Sequence, residues 1–179
     1  MKRLNWLVLL MILIVPVFFF QCNMDETVAE KNASDPDFDT LPELKLVTLA
    51  GDTITHQDFA TDQRLVFVFV SPDCDHCRKE MESFPKEVAK LENAQVLVVS
   101  PYGREEVSNF AVEFGLDKHP KIMVLLDPLH EFDSKFLPDQ TPILYLFDEN
   151  REFVGVVRNK RNAKTINTAF EDHSSGSIF

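Results

Sequence analysis

The hydrophobic and polar positions along this chain change period several times, and each change marks an element. From Leu41 the stretch LKLVTL alternates, AGD reads as a turn and TITHQDF as a second short run, together predicting an N-terminal β-hairpin. RLVFVFVS (64–71) is an unbroken β-branched and aromatic run, the pattern of a strand buried on both faces. Between Cys74 and Asn93 the residues Cys77, Met81, Phe84, Val88 and Leu91 recur every three or four positions, predicting a helix that Pro85 kinks or divides. QVLVVS (95–100) predicts a further buried strand and REEVSNFAVEFGL (104–116) a further helix. KIMVLLD (121–127) reads as a strand, and the stretch onward to Phe136 also has room for a loop and a short helix. TPILYLFD (141–148), the turn ENR and EFVGVVRN (152–159) predict a second hairpin. Residues 164–172 then form a closing helix, and 173–179 a disordered tail.

This order of strands and helices describes one α/β domain over 41–172, a central mixed sheet with helices on both faces and the first hairpin at its N-terminus. Sixteen Phe against five Gly point to a core filled by aromatic rings rather than a glycine-rich binding scaffold.

Ahead of the domain, Lys2 and Arg3 precede an apolar run from Trp6 to Phe20, the pattern of a secretory leader. Fifteen residues at ~1.5 Å each cover roughly 22 Å, less than the ~30 Å hydrocarbon core, so 1–21 reads as a signal peptide or a short membrane anchor. Cys22 stands where a bacterial lipoprotein is cleaved and acylated, although Gln21 is larger than the small residue usual at that point. Residues 22–40 are acidic and aperiodic, which predicts a flexible tether. The expected location is extracytoplasmic, held to a bacterial membrane by a lipid or an N-terminal anchor and facing the periplasm or exterior, where cysteine pairs can be oxidised. The net charge of −11 argues against nucleic acid as a partner. Arg158, Lys160 and Arg161 alternate with Asn and read as a solvated face.

The chemistry concentrates in SPDCDHCRKE (71–80). With Cys22 assigned to the membrane, Cys74 and Cys77 remain as a pair that can be a redox switch, a metal clip or a staple. A bridge closing so small a loop constrains little chain entropy and is a poor staple. A zinc or copper site would draw on scattered residues, since no second Cys-x-x-Cys or His-x-x-x-His is present, and Arg78 after the second cysteine excludes c-type haem. Spacing by three places both sulfurs on one side of a first helical turn, where unpaired N–H groups stabilise a thiolate. Cys74 is then the nucleophile and Cys77 the resolving thiol. His76, when protonated, would acidify Cys74 further, while Asp73 and Asp75 oppose it. At ~6 Å and an effective dielectric near 40 each charge is worth about 1.4 kcal/mol, so either aspartate can cancel the imidazolium. Asp73 is equally a helix N-cap.

A buried strand running into Cys-x-x-Cys at a helix start, followed about seventy residues later by Thr-Pro and a hairpin, resembles the thioredoxin fold. The leader and N-terminal hairpin make the chain most similar to extracytoplasmic thiol-disulfide oxidoreductases of the TlpA/ResA type. That resemblance implies a redox pair at Cys74 and Cys77, a cis proline at Pro142 with Thr141 binding substrate backbone, and proton handling by Glu80. It implies no cofactor or bound metal, protein dithiols or disulfides as substrates, and a membrane electron donor feeding their reduction. The sequence departs from the family in three places: Asp73 replaces an aromatic residue, Glu82 stands where a helix proline is expected, and LVFVFV carries no buried aspartate. The alternatives are a zinc- or copper-binding thioredoxin-like module, and a peroxiredoxin-like peroxidase with Ser71 in the place of the Thr before its reactive cysteine.

Overall fold

The computed structural model describes residues 35–176; the leader 1–21, Cys22 and most of the expected tether lie outside them. The strands are β1 (Lys45–Thr48), β2 (Thr53–Thr55), β3 (Arg64–Phe69), β4 (Ala94–Ser100), β5 (Ile122–Leu126), β6 (Ile143–Phe147) and β7 (Phe153–Val157). They form one sheet in the order β2-β1-β5-β4-β3-β6-β7. The β3, β4 and β5 strands run parallel, while β1 joins β5, β6 joins β3 and β7 joins β6 antiparallel. The helices are α1 (Asp75–Met81), α2 (Phe84–Val88), α3 (Arg104–Glu113), α4 (Glu131–Phe136) and α5 (Ala163–Ser174). The N-terminal hairpin extends the sheet, with Val47 opposite Leu126 and Thr48 opposite Leu125.

Alternation along the central strands sends side chains into two cores. Val66, Val68, Val96 and Val98 face α1, α2, α3 and α5, where Cys77, Met81, Phe84, Phe110 and Phe170 meet them. Leu65, Phe67, Leu97 and Tyr145 face the other way, onto Phe132 and Phe136 of α4. The Phe-rich composition is spent there: Phe67, Phe132, Phe136 and Phe147 make edge, tilted and stacked ring contacts around one centre. Each fully buried ring stabilises by about 1.5–3 kcal/mol.

Pro85 divides the predicted helix rather than kinking it. Lacking an N–H, it is tolerated in the first turn of α2, so α1 ends at Met81 and a new helix starts after Ser83. The stretch after β5 resolves into both of the expected possibilities, a strand and then a short helix. Asp127, fully buried at the end of β5, accepts the N–H groups of Glu131, Phe132 and Asp133 at 2.8, 3.0 and 3.1 Å and so caps α4. Burial outweighs these donors and pushes its carboxyl above the ordinary range.

Two expected boundaries move. Residues 35–40, read as part of a flexible tether, are docked: Thr40 bridges Glu152, and the Phe153 N–H donates to the Asp39 carbonyl at 2.7 Å, covering the open edge of β7. Phe38 packs against Phe136, Phe147 and Phe153 with centroids 5.1, 5.8 and 5.1 Å away, and Asp35 meets Arg158 at 2.8 Å. At the other end, the tail expected from 173 begins as helix, because α5 runs through Ser174 and places His173 Nε2 3.8 Å from Asp148 and 3.9 Å from Glu152.

Two outcomes follow from this packing. Asp127→Ala lowers the unfolding free energy in urea by about 1–3 kcal/mol, the cost of losing a cap from buried donors. A chain begun at residue 41 melts measurably below one begun at residue 35, and Phe38→Ala in the longer chain reproduces most of the difference.

Candidate active site

The β3 strand delivers the chain to the site: the Val70 N–H still pairs with the Val99 carbonyl at 3.0 Å, and the Ser71–Asp73 turn follows. Arg78 stabilises that turn by donating to the Pro72 carbonyl at 3.3 Å while pairing with Glu113 of α3, its guanidinium lying 5.4 Å from the Phe114 ring centre. The turn closes with the Cys74 N–H on the Ser71 carbonyl at 3.1 Å, and α1 begins.

The N-cap of α1 is Cys74 itself. Its sulfur accepts from the Cys77 N–H at 3.3 Å, the position that a Ser, Thr or Asp oxygen fills in most helices. Asp73, read above as a possible cap, is turned aside: the Tyr102 hydroxyl donates to its carboxylate at 2.9 Å. Both cysteines are free thiols; Cys74 is half-buried and Cys77 fully buried.

These placements separate the two acidities. Burial opposes ionisation of Cys74, but the Cys77 and His76 backbone N–H groups and the Cys77 and Thr141 side chains together outweigh it, and the thiol sits below its ordinary value. Burial dominates at Cys77 and pushes it up to about 11. His76 thus assists Cys74 through its backbone, whereas its imidazole is turned to solvent and to the neighbouring loop. Asp75, at the first helical residue, is exposed.

Thr141 and Pro142 complete the front of the site. Their peptide bond is cis, and the Cys74 S–H donates to the Thr141 carbonyl at 3.7 Å across 67 residues of chain. The structure therefore gathers Cys74, Cys77, Thr141 and Pro142 at one end of the sheet.

Glu80 is also nearby, but not as a free proton carrier. Both of its oxygens are held by the Arg161 guanidinium, whose side chain is only 6 % exposed. Arg161 therefore does not belong to a solvated face: it also donates to the Arg158 carbonyl and lies 3.0 Å from His76 Nε2. A guanidinium has donors only, so His76 Nε2 accepts and the ring proton sits on Nδ1. Eighty-one residues separate Arg161 from Glu80, and no local pattern in RNKRN announces the pair. The contact from Arg78 to the Pro72 carbonyl runs back six residues, out of the helix and into the turn before it, which helical spacing does not report.

Metal ligation was the rival expectation. Among the described residues, the one cluster of three or more donors close enough to share an ion is Asp148, Glu152 and His173. It includes neither cysteine and sits at the far end of β6 from them, Ile143 rather than Phe147 lying beside Phe69.

Comparison with known proteins adds the following. The sequence model of the AhpC/TSA family matches residues 38–158. No curated protein matches the chain. Among solved structures, a secreted Mycobacterium tuberculosis disulfide oxidoreductase homologous to E. coli DsbE aligns at 16% identity and TM-score 0.57, covering 72% of this chain and 94% of that one. Copper-bound ScoI from Arabidopsis thaliana aligns at 17% and 0.56, covering 75% and 98%. The peroxidoxin BcpB of M. tuberculosis aligns at 14% and 0.61, covering 80% and 98%. At such identities these structures show a shared thioredoxin-like fold. Among the described residues no helix is long and apolar enough to cross a membrane.

The split acidities give a direct readout. Iodoacetamide modifies Cys74 with a pH midpoint below that of an unperturbed thiol, while Cys77 stays unmodified until the pH approaches 11. Mass spectrometry of the alkylated peptide distinguishes the two, and equal midpoints would contradict the geometry.

Proposed function

The chain belongs to the AhpC/TSA family, and from that premise we propose that it is a thiol-disulfide oxidoreductase in which Cys74 is the nucleophile and Cys77 the resolving thiol. The observation that carries this reading is the unequal pair: an accessible sulfur capping a helix, and beneath it a thiol that burial keeps protonated.

In the reducing direction the Cys74 thiolate attacks one sulfur of a substrate disulfide. The substrate S–S bond breaks, a bond from Cys74 to that sulfur forms, and the departing thiolate takes a proton. The Cys77 thiol then loses its proton and attacks Cys74 Sγ, closing the Cys74–Cys77 disulfide and releasing the second substrate thiol. Two electrons pass from the pair to the substrate, and a donor dithiol restores them. Once Cys74 is ionised the Thr141 carbonyl has no S–H donor and is available to a substrate backbone N–H, which supports a binding role for Thr141 and Pro142. The leader supports work outside the cytoplasm, with Cys22 lipidated or 1–21 retained as an anchor and a membrane dithiol as the electron source.

A second reading, peroxide reduction by the same Cys74, is favoured by the family match and by Ser71 three positions upstream. There the thiolate takes one peroxide oxygen as sulfenic acid, releasing water after protonation, and Cys77 displaces hydroxide to close the disulfide. Hydrogen peroxide consumption by the reduced protein separates the readings. Loss of peroxide at the rate of disulfide exchange favours the second, and slower loss by a hundredfold or more favours the first.

Cys77→Ala leaves the mixed disulfide unresolved, so substrates accumulate covalently on Cys74 and are released by dithiothreitol. Cys74→Ala gives no adduct. Absence of adducts from Cys77→Ala in extracts of the source cells' envelope would count decisively against the exchange mechanism.

A further inference from the structure

The loop between β7 and α5 reaches across to α1 through one side chain. Arg161 engages both oxygens of Glu80 on the second turn of α1, lies 3.0 Å from His76 Nε2 on the first, and donates to the Arg158 carbonyl of its own loop. The Arg158 carbonyl also accepts from the Gln140 side chain at 2.8 Å, and Gln140 adjoins Thr141, whose carbonyl faces Cys74. A continuous polar path therefore runs from the residue between the cysteines, through Arg161, to the residue in front of them. Arg161 and Glu80 also wall a polar cavity of about 270 Å³ beside α1, shared with Glu87 and Lys160.

We propose that Arg161 is a positioning residue of the redox centre, holding Glu80 and His76 in a charge-balanced cluster so that the Glu80 carboxylate does not oppose the N–H groups of α1 at Cys74. The proposal rests on Cys74 being the nucleophile but not on what it attacks. The physical basis is a matter of sign. Glu80 lies six residues along the helix from Cys74, about 9 Å by the ~1.5 Å rise. An uncompensated carboxylate at that range disfavours a thiolate by a factor on the order of five at an effective dielectric near 40. The guanidinium cancels this charge, being almost completely buried and locked in orientation by four contacts to Glu80, Arg158 and His76. Most other charges near the cluster are already answered or turned away, and Lys160 shares the cavity wall with Glu80. Asp73 is engaged by Tyr102, Arg78 by Glu113, and Glu87 by Lys90 and the Ala163 N–H, while Asp75 is solvated. His76 faces the cluster through Nε2, 3.0 Å from Arg161 and 3.8 Å from Glu80.

The test reads the Cys74 alkylation rate against pH in the full reduced protein, using iodoacetamide, and needs no substrate. Arg161→Gln exposes the carboxylate, raises the midpoint of Cys74 and slows alkylation at neutral pH about fivefold. Adding Glu80→Gln to that variant removes the exposed charge and returns the rate to within about twofold of wild type. An unchanged rate in Arg161→Gln overturns the proposal, and so does a double variant as slow as the single one, because a merely structural contact would not be rescued. If Arg161→Gln fails to fold, Glu80→Gln alone decides. It leaves the guanidinium uncompensated and speeds Cys74 severalfold, and no change refutes the charge balance. Should this cycle hold while Cys77→Ala traps no substrate, the exchange function falls and the role of Arg161 stands.

Discussion

A sulfur atom occupies the place at the start of α1 that an oxygen fills at most helix N-termini. The consequence is that one hydrogen bond does two jobs: the Cys77 N–H completes the first turn of the helix and also stabilises negative charge on Cys74. Such groups have no partner within the helix, so the fold supplies the electrostatic stabilisation without placing a cation against the sulfur. Everything around the site serves to keep that geometry: Arg78 on the Pro72 carbonyl behind the turn, the Thr141 carbonyl in front of it, and the core beneath, which grips Cys77 and Met81.

The same arrangement explains why two cysteines one turn apart differ so much. Cys77 shares the core with Val66, Met81 and Phe84, and an anion there has no water to solvate it. Burial holds its pKa well above the ordinary thiol range. The functional asymmetry is therefore a by-product of ordinary amphipathic packing: α1 buries one stripe, and Cys77 lies on it while Cys74 stands at the exposed end.

Polar contacts at long sequence separation link this centre to the rest of the domain. Arg158 holds Asp139 at 3.0 Å and the docked Asp35 at 2.8 Å, and its carbonyl receives Arg161 and Gln140. The segment that leads toward the N-terminus is thus joined to the loop that carries Thr141, and the aromatic contacts of Phe38 hold it there. Residues 35–40 were read as tether because they are acidic and lack periodicity. Their attachment comes from partners more than ninety residues away, which no local pattern reports.

Much was legible without coordinates. The apolar runs at 65–70 and 96–99 read as internal strands because they are short and rich in β-branched and aromatic residues, and both lie at the centre of the sheet. Cys-x-x-Cys directly after such a strand marked the two sulfurs that meet at the start of α1, and Thr141 before Pro142 marked the segment that faces them. Local chemistry also settled that Pro85 interrupts a helix. What the sequence could not decide was which charges meet. Asp73, Asp75, His76 and Glu80 surround the cysteines on paper, and only the tertiary structure turns Asp73 to Tyr102, leaves Asp75 in water and gives Glu80 to Arg161. Spacing along a chain determines which side chains share a face of one element, whereas their electrostatic partners come from other elements, and those distances exist only after the sheet has closed.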